Sequence, residues 1–274
     1  MLRIMLAVIS LLFLVQTSHA DDTIRFGVFP FLPPNRLEAS FGPLTKTLEN
    51  FFGKPVSFRT RKSFPDFLRA LGEESFDIAV VQPFDYVRVR DAVAYLPVVR
   101  RTDPLRAAVV VKEEAILKLT DLRGKVIAFP SPYAAVTLLG QQYLADSGII
   151  ENEFTAKFYP EHDSCTQAVL TGNAQACITA SGVVKNQQAL RDLSLRSIGE
   201  SSSIPSVLFV LHPNLMEYRH DLAELLIGLK NSESGRKILA QSLMLELTEA
   251  KAAEYDAVSE YFRALNQDEN AHAQ

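Results

Sequence analysis

The chain has 274 residues, a formal net charge of −4, 47% hydrophobic and 22% charged residues, and two cysteines. That hydrophobic fraction excludes global disorder, and the mildly acidic balance provides no electrostatic footprint for nucleic acid. Twelve Gly, fourteen Pro and two Cys exclude collagen-like and disulfide-dense classes, while the length is ample for two lobes.

The first twenty residues read as an export signal. Arg3 is the only charge before Asp21, Ile4 to Val15 is apolar except for Ser10, and Ser18-His19-Ala20 is a small-x-small cleavage pattern. The apolar run is shorter than the ~20 residues of a spanning helix. Cleavage is expected after Ala20, and no Cys follows to carry a lipid anchor. No later stretch is apolar enough to cross a bilayer. The product is expected in the periplasm, an oxidising compartment in which two cysteines can pair.

Thr23–Phe29 alternates and is rich in β-branched residues, predicting a strand that Pro30–Pro34 stops. Gly42-Pro43 then opens a predicted helix to Phe52, with Gly53 beyond its end. A second strand is predicted over Pro55–Thr60. Ser63 is placed as the N-cap of a helix over Phe64–Leu71. Asp77–Val81 is nearly all apolar, as a strand buried on both faces requires. This β-α-β-α-β order implies a parallel sheet with right-handed crossovers, whose ligands gather beyond the carboxyl ends of the strands.

Tyr95–Arg101 and Leu105–Val111 read as further strands. A second β-α-β-α-β set follows: strand Lys125–Phe129, helix Ser131–Asp146, strand Phe154–Tyr159, helix Ser164–Leu170 and strand Ala174–Thr179. Ile204–Leu211 reads as a strand returning to the first unit, and Met216–Leu265 as helical. Extended segments near residues 105 and 205 are the expected crossovers between the two units.

Four segments carry a resemblance to a known family: FGVFPFLPP from Phe26, FPDFLRALGEESFDIAVVQPFDYV from Phe64, LTDLRGKVIAFPSP from Leu119, and YPEHDSCTQAVLTGNAQACIT from Tyr159. In order and spacing the chain resembles the type 2 periplasmic solute-binding proteins, in particular their phosphate/phosphite/phosphonate-binding (PhnD-like) branch. The resemblance implies an α/β fold of two lobes, each a mixed, mainly parallel sheet flanked by helices, joined by two crossover strands. It implies lobe 1 over 21–106 and 206–274, lobe 2 over 107–205, and hinge closure over a ligand. The chain departs from the branch where Tyr133-Ala134-Ala135-Val136-Thr137 replaces a Ser-Thr-Ser-Gly stretch, and where Thr179-Ala180-Ser181-Gly182 lacks a carboxylate. Backbone N–H groups at that helix start remain available to an anion.

The ligand-binding candidates follow from the strand ends and the resemblance. Phe29 and Phe31 flank the first loop, to close over a ligand or to pack in the core. Gln82, Asp85 and Tyr86 follow the third strand, as a polar site or a helix start. Ser131, Tyr133, Ala134 and Ala135 begin a helix, with Ser131 a capping candidate. His162 and Asp163 lie between a strand and a helix, to contact an anion or to serve as a surface loop with a cap. Thr179 and Ser181 follow the last strand of the second unit.

Cys165 and Cys177 are twelve residues apart. A helix rising ~1.5 Å and a strand returning ~3.3 Å per residue bring them back to one level, at the cleft-facing end. A disulfide is the first reading, and a dithiol capturing a thiophilic ligand such as arsenite the sharper alternative. The His and Cys are too scattered for a zinc site, and no phosphate loop, dinucleotide fingerprint or nucleophile elbow occurs. No cofactor and no metal are expected. The function expected is capture of a small anionic solute for an ABC permease, by a monomer that is not an enzyme. The alternatives are a ligand sensor for a membrane histidine kinase, and an enzyme on the same fold.

Overall fold

The structure, a computed structural model, describes residues 22–112, 114–160, 162–182 and 195–259. The expected export signal lies outside the described residues. Two sheets organise the chain. The first contains β1 (Ile24–Val28), β2 (Val56–Arg59), β3 (Ile78–Val81), β4 (Leu96–Arg101), β10 (Leu208–Leu211) and β11 (Leu247–Glu249), in the order β11-β4-β10-β3-β1-β2. β2, β1 and β3 run parallel, while β10 is antiparallel to β3 and β4, and β11 to β4. The second contains β5 (Ala107–Val111), β6 (Val126–Phe129), β7 (Thr155–Phe158), β8 (Ala176–Ala180) and β9 (Arg196–Glu200), in the order β7-β6-β8-β5-β9. β7, β6 and β8 are parallel, and β5 is antiparallel to β8 and β9. Between the sheets, Leu105 and Ile204 form an antiparallel bridge, exchanging both N–H···O bonds at 2.9 and 3.0 Å.

This is the two-lobed α/β architecture that the resemblance implied. Every residue of β3 and β10 is buried, because helices cover both faces of the sheet centre. Phe26 lies at the heart of the first core, with Phe41 and Phe58 edge-on at 6.1 Å and Phe209 stacked at 6.4 Å. Ser63 caps α2 (Phe64–Gly72) as predicted, accepting from the Asp66 N–H at 3.2 Å.

Three expectations are corrected. The first helix, α1 (Pro34–Phe52), begins eight residues before Gly42, with Pro43 inside it. Proline lacks the N–H that would bond the carbonyl four residues back. Here that carbonyl, on Ala39, accepts instead from Gln241 Nε2 at 2.9 Å, so a distant side chain makes the interior proline tolerable. The helix after β6, α4 (Ala135–Asp146), begins four residues after Ser131, with Ala134 at the N-cap. The C-terminal region is not continuously helical. It contains α6 (Arg219–Gly228), α7 (Glu233–Gln241) and then β11, which pairs with β4. Strand β9, which local pattern does not predict, completes the second sheet. No helix among the described residues is long and apolar enough to cross a membrane.

Cys165, in α5 (His162–Leu170), and Cys177, in β8, form a disulfide with Cα atoms 5.7 Å apart. Both are fully buried among Ala108, Val110, Ala128, Ala168 and Val169, so the bond sits beneath α5 rather than at the cleft. Successive side chains of a strand face opposite ways. Ile178, the next residue, points to the other face of β8, where α4 packs so closely that a Cβ on Gly140 would overlap Ile178 Cγ2.

Candidate functional site

A cavity of about 330 Å³ opens between the two sheets. Each wall follows from the topology. The parallel strands of the first sheet deliver Phe29, Phe31 and Leu32 after β1, Phe64 at the start of α2, and Gln82 after β3. The second sheet contributes Ala134, Ala135 and Val136 at the start of α4, Asp163 in α5, and Ala180 at the end of β8 with Ser181 and Gly182 beyond it. The crossover segment from Arg101 to Arg106 and the return at Ser206–Val207 close the back, and Leu243–Leu245 forms a further wall.

Gln82 links the two sheets. Its Oε1 accepts from the Ala135 N–H at 2.8 Å, and its Nε2 donates to Asp85 Oδ2 at 3.0 Å and to the Tyr133 carbonyl at 3.3 Å. At the start of α4, Ala134 donates to the Ser131 carbonyl and Thr137 to the Ala134 carbonyl. Among the described residues, the Val136 N–H is left without an acceptor there. Ser181 Oγ is buried and has no hydrogen-bond partner among the described residues. A buried polar atom in this state is unusual enough to mark a place where a ligand or water completes the site.

Among the described residues, the charged groups around the cavity are three guanidinium groups, of Arg36, Arg101 and Arg106, and two carboxylates, of Asp103 and Asp163, an excess of one positive charge. Arg101 is held fast, by Asp103 through Nε (2.9 Å) and Nη2 (2.6 Å), and by donating from Nη1 to the Leu243 carbonyl at 3.0 Å. Arg36 spans to Asp163 at 3.4 Å, and Arg106 lies 3.9 Å from Glu200; both remain about half exposed. Both are held less tightly than Arg101. The sequence reading missed all three arginines. Arg101 and Arg106 belong to the charged run Arg100-Arg101-Thr102-Asp103-Pro104-Leu105-Arg106 at a predicted crossover, a run that by itself reads equally well as solvated surface.

Of the residues singled out from the sequence, Phe29, Phe31, Gln82, Ala134, Ala135, Asp163 and Ser181 line the cavity together. Asp85, Tyr86, Ser131, Tyr133 and Thr179 are not in its walls. Asp85 is buried behind Gln82, and burial pushes its carboxyl up to about 6, against the opposing pull of the Gln82 amide and the Arg88 charge. Tyr86 is fully buried, edge-on to Tyr255 at 5.1 Å, and burial pushes its phenol up to about 12. Ser131 does not cap α4; its carbonyl instead accepts from Ala134 N–H and Thr137 Oγ1 at 2.9 Å each. Tyr133 is exposed and contributes only its carbonyl, to Gln82. Thr179 is buried within β8. His162 opens α5, and the role foreseen for its side chain lies outside the described residues. The buried disulfide offers a thiophilic ligand no sulfur in the cavity wall.

The chain also resembles known proteins. A family profile described as ABC transporter, phosphonate, periplasmic substrate-binding protein matches residues 26–255. No curated protein sequence matches the chain. Among solved structures, PhnD1 from Prochlorococcus marinus in complex with methylphosphonate superposes with a TM-score of 0.81 at 17% identity, covering 89% of this chain and 98% of that one. A binding protein component of an ABC phosphonate transporter from Pseudomonas aeruginosa gives 0.75 at 14% identity, covering 87% and 85%. XAC2383 from Xanthomonas citri, bound to chloride ion, gives 0.74 at 10% identity, covering 91% and 99%. At these identities the structures speak for the fold.

Proposed function

As the chain belongs to the family of periplasmic substrate-binding proteins of phosphonate ABC transporters, we propose that it captures a small phosphonate-like oxyanion between its two sheets. The observation that supports this reading is the positive excess among the described residues around the cavity, three arginines against two carboxylates, beside a Ser181 hydroxyl that has no partner among the described residues. Guanidinium groups suit tetrahedral oxyanions because their planar donor forks match paired oxygens. Arg36 and Arg106 turn onto the ligand, Arg101 holds the wall, and Ser181 and the Val136 N–H supply neutral donors. Residues 21–106 with 206–274 act as one lobe and 107–205 as the other, bending at the segments that the Leu105–Ile204 bridge joins. The closed monomer then presents its ligand to an inner-membrane permease from the periplasmic side.

Calorimetric titration of the chain from Asp21 tests this, with phosphate, phosphite, methylphosphonate, sulfate, arsenate and arsenite. Tight binding of one tetrahedral oxyanion is expected, weakened at least tenfold in Arg106→Gln, the cost of a lost charge-assisted hydrogen bond being about 1.5–3 kcal/mol. Absence of binding to every oxyanion overturns the reading.

A further inference from the structure

We infer that Gln82 is an internal competitor of the anion. Its side-chain oxygen sits on the α4 N–H that a bound oxyanion takes, so the ligand must displace it, and Gln82 thereby sets affinity and capture rate. The inference rests on the anion-capture reading above and adds how that site is regulated.

The start of α4 has no cap of its own. A helix leaves its first N–H groups without intrahelical acceptors, and a Ser, Thr, Asp or Asn at the N-cap ordinarily supplies one. Here the N-cap is Ala134, which has no such side chain, and Ser131 Oγ accepts from the Tyr133 N–H at 3.4 Å, ahead of the helix. The acceptor comes instead from the other sheet, where Gln82 Oε1 takes the Ala135 N–H at 2.8 Å. A cap supplied across the cleft, unlike a local one, can be exchanged for a ligand when the sheets part.

The place that Gln82 fills suits an anion. Ala135 and Val136 carry the first two N–H groups of the helix, and both border the cavity with Ser181. Among the described residues the Val136 N–H has no acceptor, and neither does the buried Ser181 hydroxyl have a partner. Adjacent N–H groups at a helix start, with the positive end of the dipole behind them, favour a negatively charged acceptor. An N–H carries one proton, so Gln82 and an oxyanion oxygen exclude each other on Ala135.

Two further bonds aim the Gln82 oxygen at α4. Nε2 donates to Asp85 Oδ2 at 3.0 Å and to the Tyr133 carbonyl at 3.3 Å, which leaves Oε1 facing Ala135. Asp85 is buried beside it, so the amide keeps a partner when Oε1 is displaced. A second pair spans the same cleft, Arg36 Nη1 lying 3.4 Å from Asp163 Oδ2 and engaging a cavity cation with a protein carboxylate. That pair is exposed, and exposed ion pairs contribute little, so the buried Gln82 contact carries the effect. The anion wins the exchange because a charge-assisted hydrogen bond is about twice as strong as a neutral one.

The test is calorimetric and stopped-flow titration of the chain from Asp21 with methylphosphonate, phosphite, phosphate and sulfate, in the parent, Gln82→Leu and Gln82→Asn proteins. Leucine is similar in size and cannot accept a hydrogen bond; asparagine is one methylene too short to reach Ala135. In the bound protein the Ala135 N–H is on the ligand, so both variants leave that state as it is and remove only the competing free state. The dissociation constant of the bound anion is expected to fall about tenfold, which corresponds to about 1.4 kcal/mol, the size of one net hydrogen bond. The gain is expected in the association rate, with dissociation unchanged. Hydrogen exchange at the Ala135 amide of Gln82→Leu is expected to be fast without the anion and slowed by it. Affinity that is unchanged or lower in either folded variant, or a faster dissociation, overturns the competitor role and leaves Gln82 as a brace, with anion capture standing. Binding of none of these anions to any of the three proteins overturns the inference together with the reading beneath it.

Discussion

Gln82 Oε1 accepts the N–H of Ala135 at 2.8 Å, a bond from the first sheet's β3–α3 junction, where α3 spans Pro83–Val93, to the first residue of α4 on the second. The same amide donates to Asp85 and to the Tyr133 carbonyl, and Gln82 is only 3% exposed. One buried side chain thus satisfies a helix-start donor across the cleft. Gln82→Ala leaves that N–H and the Asp85 carboxyl without their partner. We expect a loss of about 1–3 kcal/mol, read as a lower urea midpoint with an unchanged slope. Small-angle scattering of the ligand-free variant is expected to show a larger radius of gyration, because an inter-sheet bond is gone. An unaltered midpoint would remove Gln82 from the account of how the sheets are held.

Asp85 makes a pH prediction. Its carboxyl rises to about 6 on folding because burial disfavours the charge, while in the unfolded chain it titrates near 4. Between those values the native state holds the proton more tightly, so this contribution is full below about pH 4 and is lost as pH rises through about 6. Its size is on the order of 2–3 kcal/mol. Asp77 and Glu254, lowered by their Arg25 and Arg100 partners, have the opposite sign and lose their contribution as pH falls. The measurement is therefore a difference. Asp85→Asn, an isostere that cannot ionise, should gain stability relative to the parent between pH 4 and pH 7. A parallel pair of stability curves would show that Asp85 does not titrate in this window.

The Cys165–Cys177 bond closes a short loop of sequence separation 12. Loop-closure entropy assigns it about 3 kcal/mol. Cys165→Ala with Cys177→Ala should lower the melting temperature. It should leave oxyanion affinity as it was, since neither sulfur borders the cavity. A large change in affinity on reduction would return the cysteines to the binding account.

Gly140 sets how closely α4 lies on β8. Gly140→Ala pushes a methyl into Ile178, which is fully buried and has no room to yield. Overpacking of this kind costs about 1–3 kcal/mol. Because α4 carries Ala134–Val136 into the cavity wall, ligand affinity should fall with stability in this variant. Gly53→Ala, at φ 63° in open space, should cost stability alone.

The sequence by itself determined much of the architecture. The all-apolar Ile78–Val81 and the alternation around Phe26 are local patterns with one physical meaning, burial on both faces or on one, so the strands and the α/β class were legible from them. The cysteine spacing brought the two side chains to one level, because a helix and a strand return predictable distances, and left a disulfide and a free dithiol both open until the structure paired them. Tertiary structure decided the rest. Pro43 looks like a helix start until Gln241, nearly two hundred residues later, supplies the missing hydrogen bond. Leu247–Glu249 continues a helical-looking tail until β4 offers an unpaired edge. Phe29 and Gln82 were legible as candidates for the cavity wall because they follow strands directly. Arg36, Arg101, Arg106 and the Leu243–Leu245 loop were not, because a charge or a leucine has the same local signature at a solvated surface as in a cleft. What distinguishes them is which other segment folds against them, and that is a property of long-range packing, which short-range sequence does not encode.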